Sequence, residues 1–276
     1  MPGQDPQQVL DALAQRPEGR AALAIEGARV AAVGGFVRDA LSGHEPRELD
    51  LVVEGDLELA ARALGGRPEP HERFLAIHVA GDGWDVELTH ARRERYERPG
   101  ALPAVEPATI EEDLLRRDFS VNAIAAELPS GRLLAPPGAL EDLAVGRLRV
   151  LHDASFSDDP TRALRLARYR HRTGFEVEPA TAALAASAKL ADVSGARIGA
   201  ELRLVLHEPD PPAVLADLEG LLPLVADREL IARALALAPA DADRDAVVLA
   251  ATMFETAPDR EWIEALELGA GPRDAI

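Results

Sequence analysis

Short apolar runs and helical stripes alternate along the first half of the chain. Val30, Ala31, Ala32 and Val33 form a run long enough for a buried strand. Gly34-Gly35 breaks it. Phe36, Val37, Ala40 and Leu41 then recur at helical spacing until Ser42-Gly43. Residues 48–53 read as a second strand, with Glu48 and Asp50 on one face and Leu49 and Leu51 on the other. Upstream, residues 7–26 predict two short helices, broken near Pro17 and packed against a sheet. Downstream, residues 57–64 predict a helix ended by Gly65-Gly66. Residues 75–79 and 84–88 predict two strands joined across Gly81-Asp82-Gly83, a hairpin signal. Asp85 and Glu87 share one face of the second of these strands.

Residues 89–110 are polar and punctuated by proline, a long connection of the kind that carries function or mobility. Residues 111–127 predict a helix with Leu114, Leu115, Phe119, Val121, Ile124 and Ala125 as its apolar positions. Residues 133–143 predict a turn and a short helix. Asp159-Pro160 reads as an N-cap with Pro at the first helical position. That helix continues with Arg162, Arg165 and Arg168 at three-residue spacing. Residues 193–206 and the Ala-, Leu- and acid-rich stretch 209–276 predict further helices. The fold class expected is α+β. A head with a mixed sheet and flanking helices spans residues 1–145, and an all-helical neck and shortened body spans residues 146–276.

Composition narrows this picture. The 276 residues are 47% apolar but only 4% aromatic, so the core must be built from Ala, Leu and Val. The absence of cysteine excludes disulfides and thiolate metal sites. There is no apolar stretch of about 18 residues and no basic-then-apolar start, which predicts neither a membrane helix nor a signal peptide. A cytoplasmic protein is expected. The net charge of −18 argues against wide nucleic-acid contact. The charge is uneven, however. Residues 207–276 hold 15 acidic against 5 basic side chains, whereas residues 147–172 hold 7 Arg against 3 Asp. A local nucleotide or RNA site is compatible with that distribution.

The chemistry sits on a few motifs. In a strand–diglycine–helix turn, backbone N–H groups can face an anion. Arg38, in the first turns of that helix, can add a charge-assisted bond to phosphate. Glu48 and Asp50 repel each other on one strand face unless a cation lies between them, and Mg²⁺ carrying a nucleotide's phosphates supplies one. Asp118 and Asn122, four residues apart, can together hydrogen-bond a ribose hydroxyl, and Arg116 and Arg117 can meet a triphosphate. Asp159 and Arg162, three residues apart, read as a helix cap with its ion-pair partner. Taken singly, each motif also has a plain structural reading: a turn, a solvated strand edge, a capped helix. His152-Asp153 has no second histidine cluster beside it, which excludes a metal-dependent phosphohydrolase.

Taken together and in order, GGFVRDALSG at residues 34–43, Glu48-Leu49-Asp50, and RRDFSVNA at residues 116–123 resemble a family signature. They look like the DNA polymerase β-like nucleotidyltransferases, and among these the bacterial tRNA nucleotidyltransferases (CCA-adding enzymes) and their poly(A) polymerase relatives. That family usually reads GG-x-VRD-x-L-x-G, then Asp-x-Asp, then RRDF[ST]-x-NA. Residues 91–96 match its AR-x-E-x-Y segment, and the resemblance runs over about residues 28–225. It implies template-independent transfer of C or A from CTP or ATP to an RNA 3′ end, with tRNA first among the acceptors. It implies that Glu48, Asp50 and Asp85 are catalytic and hold two Mg²⁺ ions. Gly34, Gly35, Arg38 and Arg117 would hold the triphosphate, and Asp118 and Asn122 the ribose. Asp159 and Arg162 would read the base, with Arg165 and Arg168 completing the nucleotide-binding set. Glu48 stands where the family carries Asp. Three alternatives stay open: a catalytically impaired paralogue that binds nucleotide or RNA, a poly(A) polymerase, and a transferase with a small-molecule acceptor. The sequence predicts no membrane partner and is silent on oligomeric state.

Overall fold

The computed structural model describes residues 5–71, 75–239 and 241–268. The chain separates into two compact units. Residues 1–95 and 103–151 form the first, and residues 96–102 and 152–276 the second.

In the first unit α1 (Pro6–Ala14) and α2 (Pro17–Leu23) form the expected broken helical pair. Then come β1 (Arg29–Val33), α3 (Gly35–Leu41), β2 (Asp50–Glu54) and α4 (Leu57–Ala63). They are followed by β3 (Arg67–His71), β4 (Ala76–Ala80) and β5 (Asp85–His90). The sheet is completed by β8 (Ala125–Leu128) and β9 (Arg132–Leu134), after a β6–β7 hairpin (Arg92–Arg95, Ala104–Pro107). The strand order is β3-β4-β5-β2-β1-β8-β9. Only β2 and β5 pair in parallel; the other neighbours are antiparallel. Central strands are buried on both faces: Val30–Val33 and Leu51–Val53 lie inside. On one face Ala31, Val33 and Val52 pack with Ile110 and Leu114. Each buried Val or Leu of this kind contributes on the order of 1.5–3 kcal/mol.

Three sequence expectations change. The strand predicted over residues 48–53 begins at Asp50, leaving Glu48 in an irregular segment ahead of it. The alternation survives, with Leu49 and Leu51 buried and Glu48 and Asp50 exposed. The connection at residues 89–110 is not structureless, because Arg92–Arg95 pairs with Ala104–Pro107. The helix predicted over residues 111–127 is α5, Ile110–Leu115, and it stops early. Its start is secured by a capping box between Thr109 and Glu112. Its end comes where the Asp118 carboxylate takes the Phe119 N–H at 2.7 Å, a local bond that competes with helix. Phe119, Val121, Ala123 and Ile124 are all fully buried, which suits a 3₁₀ turn at Ser120–Asn122 entering β8 better than an amphipathic helix.

Arg29 ties this unit's layers together, donating to Glu54 on β2, Glu127 on β8 and Glu111 on α5 at 2.6–2.9 Å. The Arg29 guanidinium draws the Glu111 carboxyl down to about 2. α6 (Ala139–Val145) closes the unit's helices.

The second unit contains α7 (Ser155–Asp158), α8 (Arg162–Thr173), α9 (Pro179–Ala185) and α10 (Gly195–Leu206). It continues with α11 (Pro211–Ala216), α12 (Arg228–Leu237), α13 (Arg244–Met253) and α14 (Arg260–Ala265). A two-residue strand, Glu176–Val177, interrupts them. Leu164, Leu202, Val205, Val214, Leu215 and Leu218 lead its aliphatic core. Residues 269–276, the end of the predicted helical stretch, lie outside the described residues. Among the described residues no helix is long and apolar enough to cross a membrane.

Candidate active site

The site is built from the ends of neighbouring strands. β1 ends at Val33, which stands opposite Asp50, the first residue of the antiparallel strand β2. The diglycine turn therefore opens beside the acidic strand start. Gly34 adopts φ 67°, a left-handed conformation that favours glycine, and donates its N–H to Ile124 O at 3.2 Å. A Cβ at Gly34 would meet the Arg117 guanidinium at 3.1 Å, so absence of a side chain lets that cation lie against the turn. Arg117 is held from behind by Asp113 at 3.1 Å, and its buried Nε has no hydrogen-bond partner among the described residues. The Asp113 carboxyl is fully buried. Burial alone would raise its pKa, but the Arg117 and Arg116 guanidiniums hold it below the ordinary carboxylate range.

Arg38, Asp118 and Asn122 form one buried network. Arg38 donates to Asn122 Oδ1 at 2.6 Å and to Asp39 Oδ1 at 2.8 Å. Asn122 Nδ2 donates to Asp118 Oδ1 at 3.0 Å. A donor on one side and an acceptor on the other fix the amide orientation. Arg38 is only 2% exposed, enclosed with the Asn122 and Asp39 side chains it bonds. The i,i+4 spacing does place Asp118 and Asn122 together, although Asn122 ends a 3₁₀ turn that Asp118 precedes, and no α-helix face carries them.

The carboxylates line a cavity of about 380 Å³ together with Arg16, Arg47, His78 and Trp84. Glu48, Asp50, Asp85 and Glu87 all contribute to its wall. The parallel β2–β5 register sets Asp50 opposite Glu87. Asp85 lies two residues earlier, at the start of β5, where its carboxylate is 3.2 Å from His78 Nε2. Glu87 is the acidic neighbour that sequence reasoning did not single out. The alternation puts Asp85 and Glu87 on one face, and only strand register distinguishes them. Carboxylate oxygens are the ligands Mg²⁺ prefers, and Mg²⁺ commonly takes one or two of them with substrate phosphates and water. Among the described residues no three acidic or histidine side chains converge closely enough to hold an ion unaided. The donor set fits Mg²⁺ arriving with a triphosphate.

The remaining predicted residues belong to the second unit. Asp159 Oδ1 accepts from Thr161 N at 3.0 Å and Thr161 Oγ1 at 2.6 Å in the turn ahead of α8, whose N-cap is Thr161 and not Asp159 as the Asp-Pro pair predicts. Its ion-pair partner is Arg197 at 2.7 Å, which also donates to Gly100 O at 2.8 Å. No spacing rule in the sequence links residue 197 to residue 159. Arg162 is buried and donates to Ser155 Oγ at 2.7 Å. Arg165 pairs with Glu201 at 3.3 Å. Arg168 is buried between Glu201 and Glu208, at 3.4 and 3.7 Å, with Tyr169 beneath it at 5.0 Å.

Residues 30–149 match the poly(A) polymerase head domain. The chain is 43% identical over 203 residues to the A-adding tRNA nucleotidyltransferase of Halalkalibacterium halodurans, covering 68% of this chain and 48% of that enzyme. It is 41% identical over 202 residues to the CC-adding tRNA nucleotidyltransferase of Deinococcus radiodurans, covering 69% and 53%. The chain thus spans about half the length of these relatives. Among solved structures it is similar to a CCA-adding enzyme in an apo form, with TM-score 0.76 and 31% identity, covering 95% of this chain and 67% of that one. It is also similar to a tRNA nucleotidyltransferase complexed with a primer tRNA and an incoming ATP analogue, with TM-score 0.69 and 29% identity, covering 90% and 79%.

Proposed function

Since the chain belongs to the family of tRNA nucleotidyltransferases and poly(A) polymerases, we propose that it extends an RNA 3′ end without a template, using ATP or CTP. The acceptor it fits best is tRNA. The observation that carries this is the register at the strand ends: Val33 opposite Asp50 and Asp50 opposite Glu87. That register sets the diglycine turn and its Arg117 beside a carboxylate-lined cavity. Gly34, Gly35 and Arg117 hold the triphosphate, while Arg38 orients Asn122 and Asp118 toward the ribose. Asp50 and Glu48 supply oxygen ligands, and the third carboxylate comes from Asp85 or Glu87. Asp159 and Arg162 serve base choice, with Arg165 and Arg168 supporting them from α8. Glu48, Asp50 and that third carboxylate would hold Mg²⁺, which would supply charge neutralisation for the 3′-hydroxyl's attack and for the leaving pyrophosphate. The bond from the 3′-oxygen to the α-phosphorus forms as the bond from that phosphorus to pyrophosphate breaks, and the hydroxyl proton passes to solvent.

The direct test offers tRNA lacking its 3′ end with each labelled nucleotide in turn. Incorporation of C or A supports the proposal; none from any nucleotide supports a paralogue that binds without catalysis. The same assay separates the two candidate third carboxylates. Glu87→Ala is expected to lower the rate about 100-fold or more, and Asp85→Ala by about 10-fold or less, since small displacements at a reacting centre cost orders of magnitude. An Asp85→Ala loss larger than that of Glu87→Ala restores Asp85 as the ligand.

Glu48 lies in the irregular segment before β2, so its longer side chain is not fixed by the strand ladder. Its carboxylate reaches about 1.5 Å beyond that of Asp. Glu48→Asp is expected to raise the rate at saturating Mg²⁺ about 3–10-fold, and wild type to tolerate the larger Mn²⁺. A slower Glu48→Asp enzyme would show that the backbone is fitted to Glu.

A further inference from the structure

The turn between α1 and α2 carries Arg16, outside the residues that match the head-domain family. Arg16 occupies the N-cap of α2 and makes no side-chain capping bond. That position favours Ser, Thr, Asp or Asn. What the arginine does instead is hold the segment leading to the carboxylates. Its Nη1 donates to Arg47 O at 2.9 Å and its Nη2 to Pro46 O. Its guanidinium carbon lies 5.6 Å from the centre of the Phe36 ring, and Glu18 is 3.7 Å away.

Each partner adjoins the site. Pro46 and Arg47 directly precede Glu48, and Phe36 directly follows Gly35. Residues 45–49 have no regular secondary structure, so no strand ladder fixes the backbone at Glu48. Arg16 also lines the cavity shared by Glu48, Asp50 and Glu87. Its own placement is tight: a Cβ on Gly19 would lie 2.2 Å from Leu13 O, so only glycine lets α2 fold back against the end of α1.

We propose that Arg16 is a positioning residue for the metal-binding carboxylates. It locks the Pro46–Arg47 segment against α3, so that Glu48 and Asp50 meet the phosphate-holding turn in one geometry. This rests on the proposed nucleotidyltransferase site. A planar guanidinium can donate to two carbonyls while stacking on a ring, which an ammonium cannot match.

The test compares wild type, Arg16→Ala and Arg16→Lys in the full chain. One measurement needs no turnover: the Mg²⁺ concentration for half-maximal ATP binding without RNA. It is read by the fluorescence of Trp84, which lines the cavity, in a Trp262→Phe background. The others are incorporation rate against Mg²⁺ concentration and the melting temperature. Arg16→Ala is expected to raise the half-saturating Mg²⁺ about 10-fold and to lower the saturated rate about 10–100-fold, the scale set by small misplacements at a reacting centre. Arg16→Lys should recover the melting temperature but less than half of the lost rate. Unchanged Mg²⁺ half-saturation in Arg16→Ala overturns the proposal, whether the rate is retained or falls in step with the folded fraction. Should Arg16→Ala not fold, Arg16→Lys decides by the same Mg²⁺ titration. Wild type that neither binds ATP with Mg²⁺ nor incorporates nucleotide sinks the underlying site; wild type that does both, with variants that match it, sinks Arg16 alone.

Discussion

Asp50→Ala is expected to abolish nucleotide incorporation while the protein stays folded. Asp50 is the exposed first residue of β2, and its neighbours in the cavity include four other carboxylates, Glu18, Glu48, Asp85 and Glu87. Truncating it opens no hole in the core and relieves like-charge repulsion. The stability change should therefore stay within about 0.5 kcal/mol, the usual range for exposed positions. In the proposed site the same side chain matters twice over. It would supply ligand oxygens to the cation, and it stands between the diglycine turn and Glu87 in the strand register. A loss of at least about 1,000-fold, or ~4 kcal/mol of transition-state stabilisation, is the expected scale. Rate and melting temperature on one preparation check it. An active Asp50→Ala enzyme would remove the metal-assisted mechanism; an unfolded one would show that Asp50 is structural.

Asp113→Ala is expected to produce the largest loss of stability among the site's polar residues. Asp113 is fully buried and accepts from the Arg92 backbone N–H and from Arg116 and Arg117. Removing one partner of a buried pair leaves the other charge uncompensated, at about 3–5 kcal/mol. Glu94, 2.9 Å from Arg116, keeps one guanidinium paired, so the lower end applies. A fall of roughly 6–12 °C in melting temperature follows for a domain of this size. Arg117 would also lose its backing against Gly34, so triphosphate binding should weaken more than the melting shift alone explains. The pH dependence has a definite sign. The folded carboxyl titrates below its unfolded value of about 3.9, so its stabilisation is complete above that value. It is lost as pH falls through the depressed folded pKa. The gap in melting temperature between wild type and Asp113→Ala should be constant above about pH 5 and begin to close below about pH 4. An unchanged melting temperature at neutral pH would refute the buried-pair account.

Local chemistry in the sequence determined much of this protein. The run Val30–Val33, the left-handed Gly34 and the stripe Phe36–Leu41 specify strand, turn and helix through backbone and burial preferences acting over a few residues. The same holds for the hairpin at Gly81–Gly83, where Gly81 N donates to Trp84 O at 2.8 Å. Alternation put Glu48 with Asp50, and Asp85 with Glu87, on common faces, because successive strand side chains point to opposite sides. Spacing joined Asp118 to Asn122 even though the helix expected there stops at Leu115. That stop was hidden because a helical apolar stripe and a run of fully buried positions look alike until the surrounding sheet shows that both sides are covered. Partners across the sequence were decided only by the tertiary structure. Arg38 sits 84 residues from Asn122, and Arg16 lies 31 residues from the Arg47 carbonyl it binds. Arg197 and Asp159 are 38 residues apart. Register chose Glu87 as the neighbour of Asp50, since parallel pairing of β2 with β5 is set by the whole sheet and leaves no trace in either strand alone. Burial decided the arginines. A sequence shows a guanidinium that could reach a phosphate, but only the packed chain shows Arg38 and Arg168 enclosed with their own partners, where desolvation requires that each charge be matched from within.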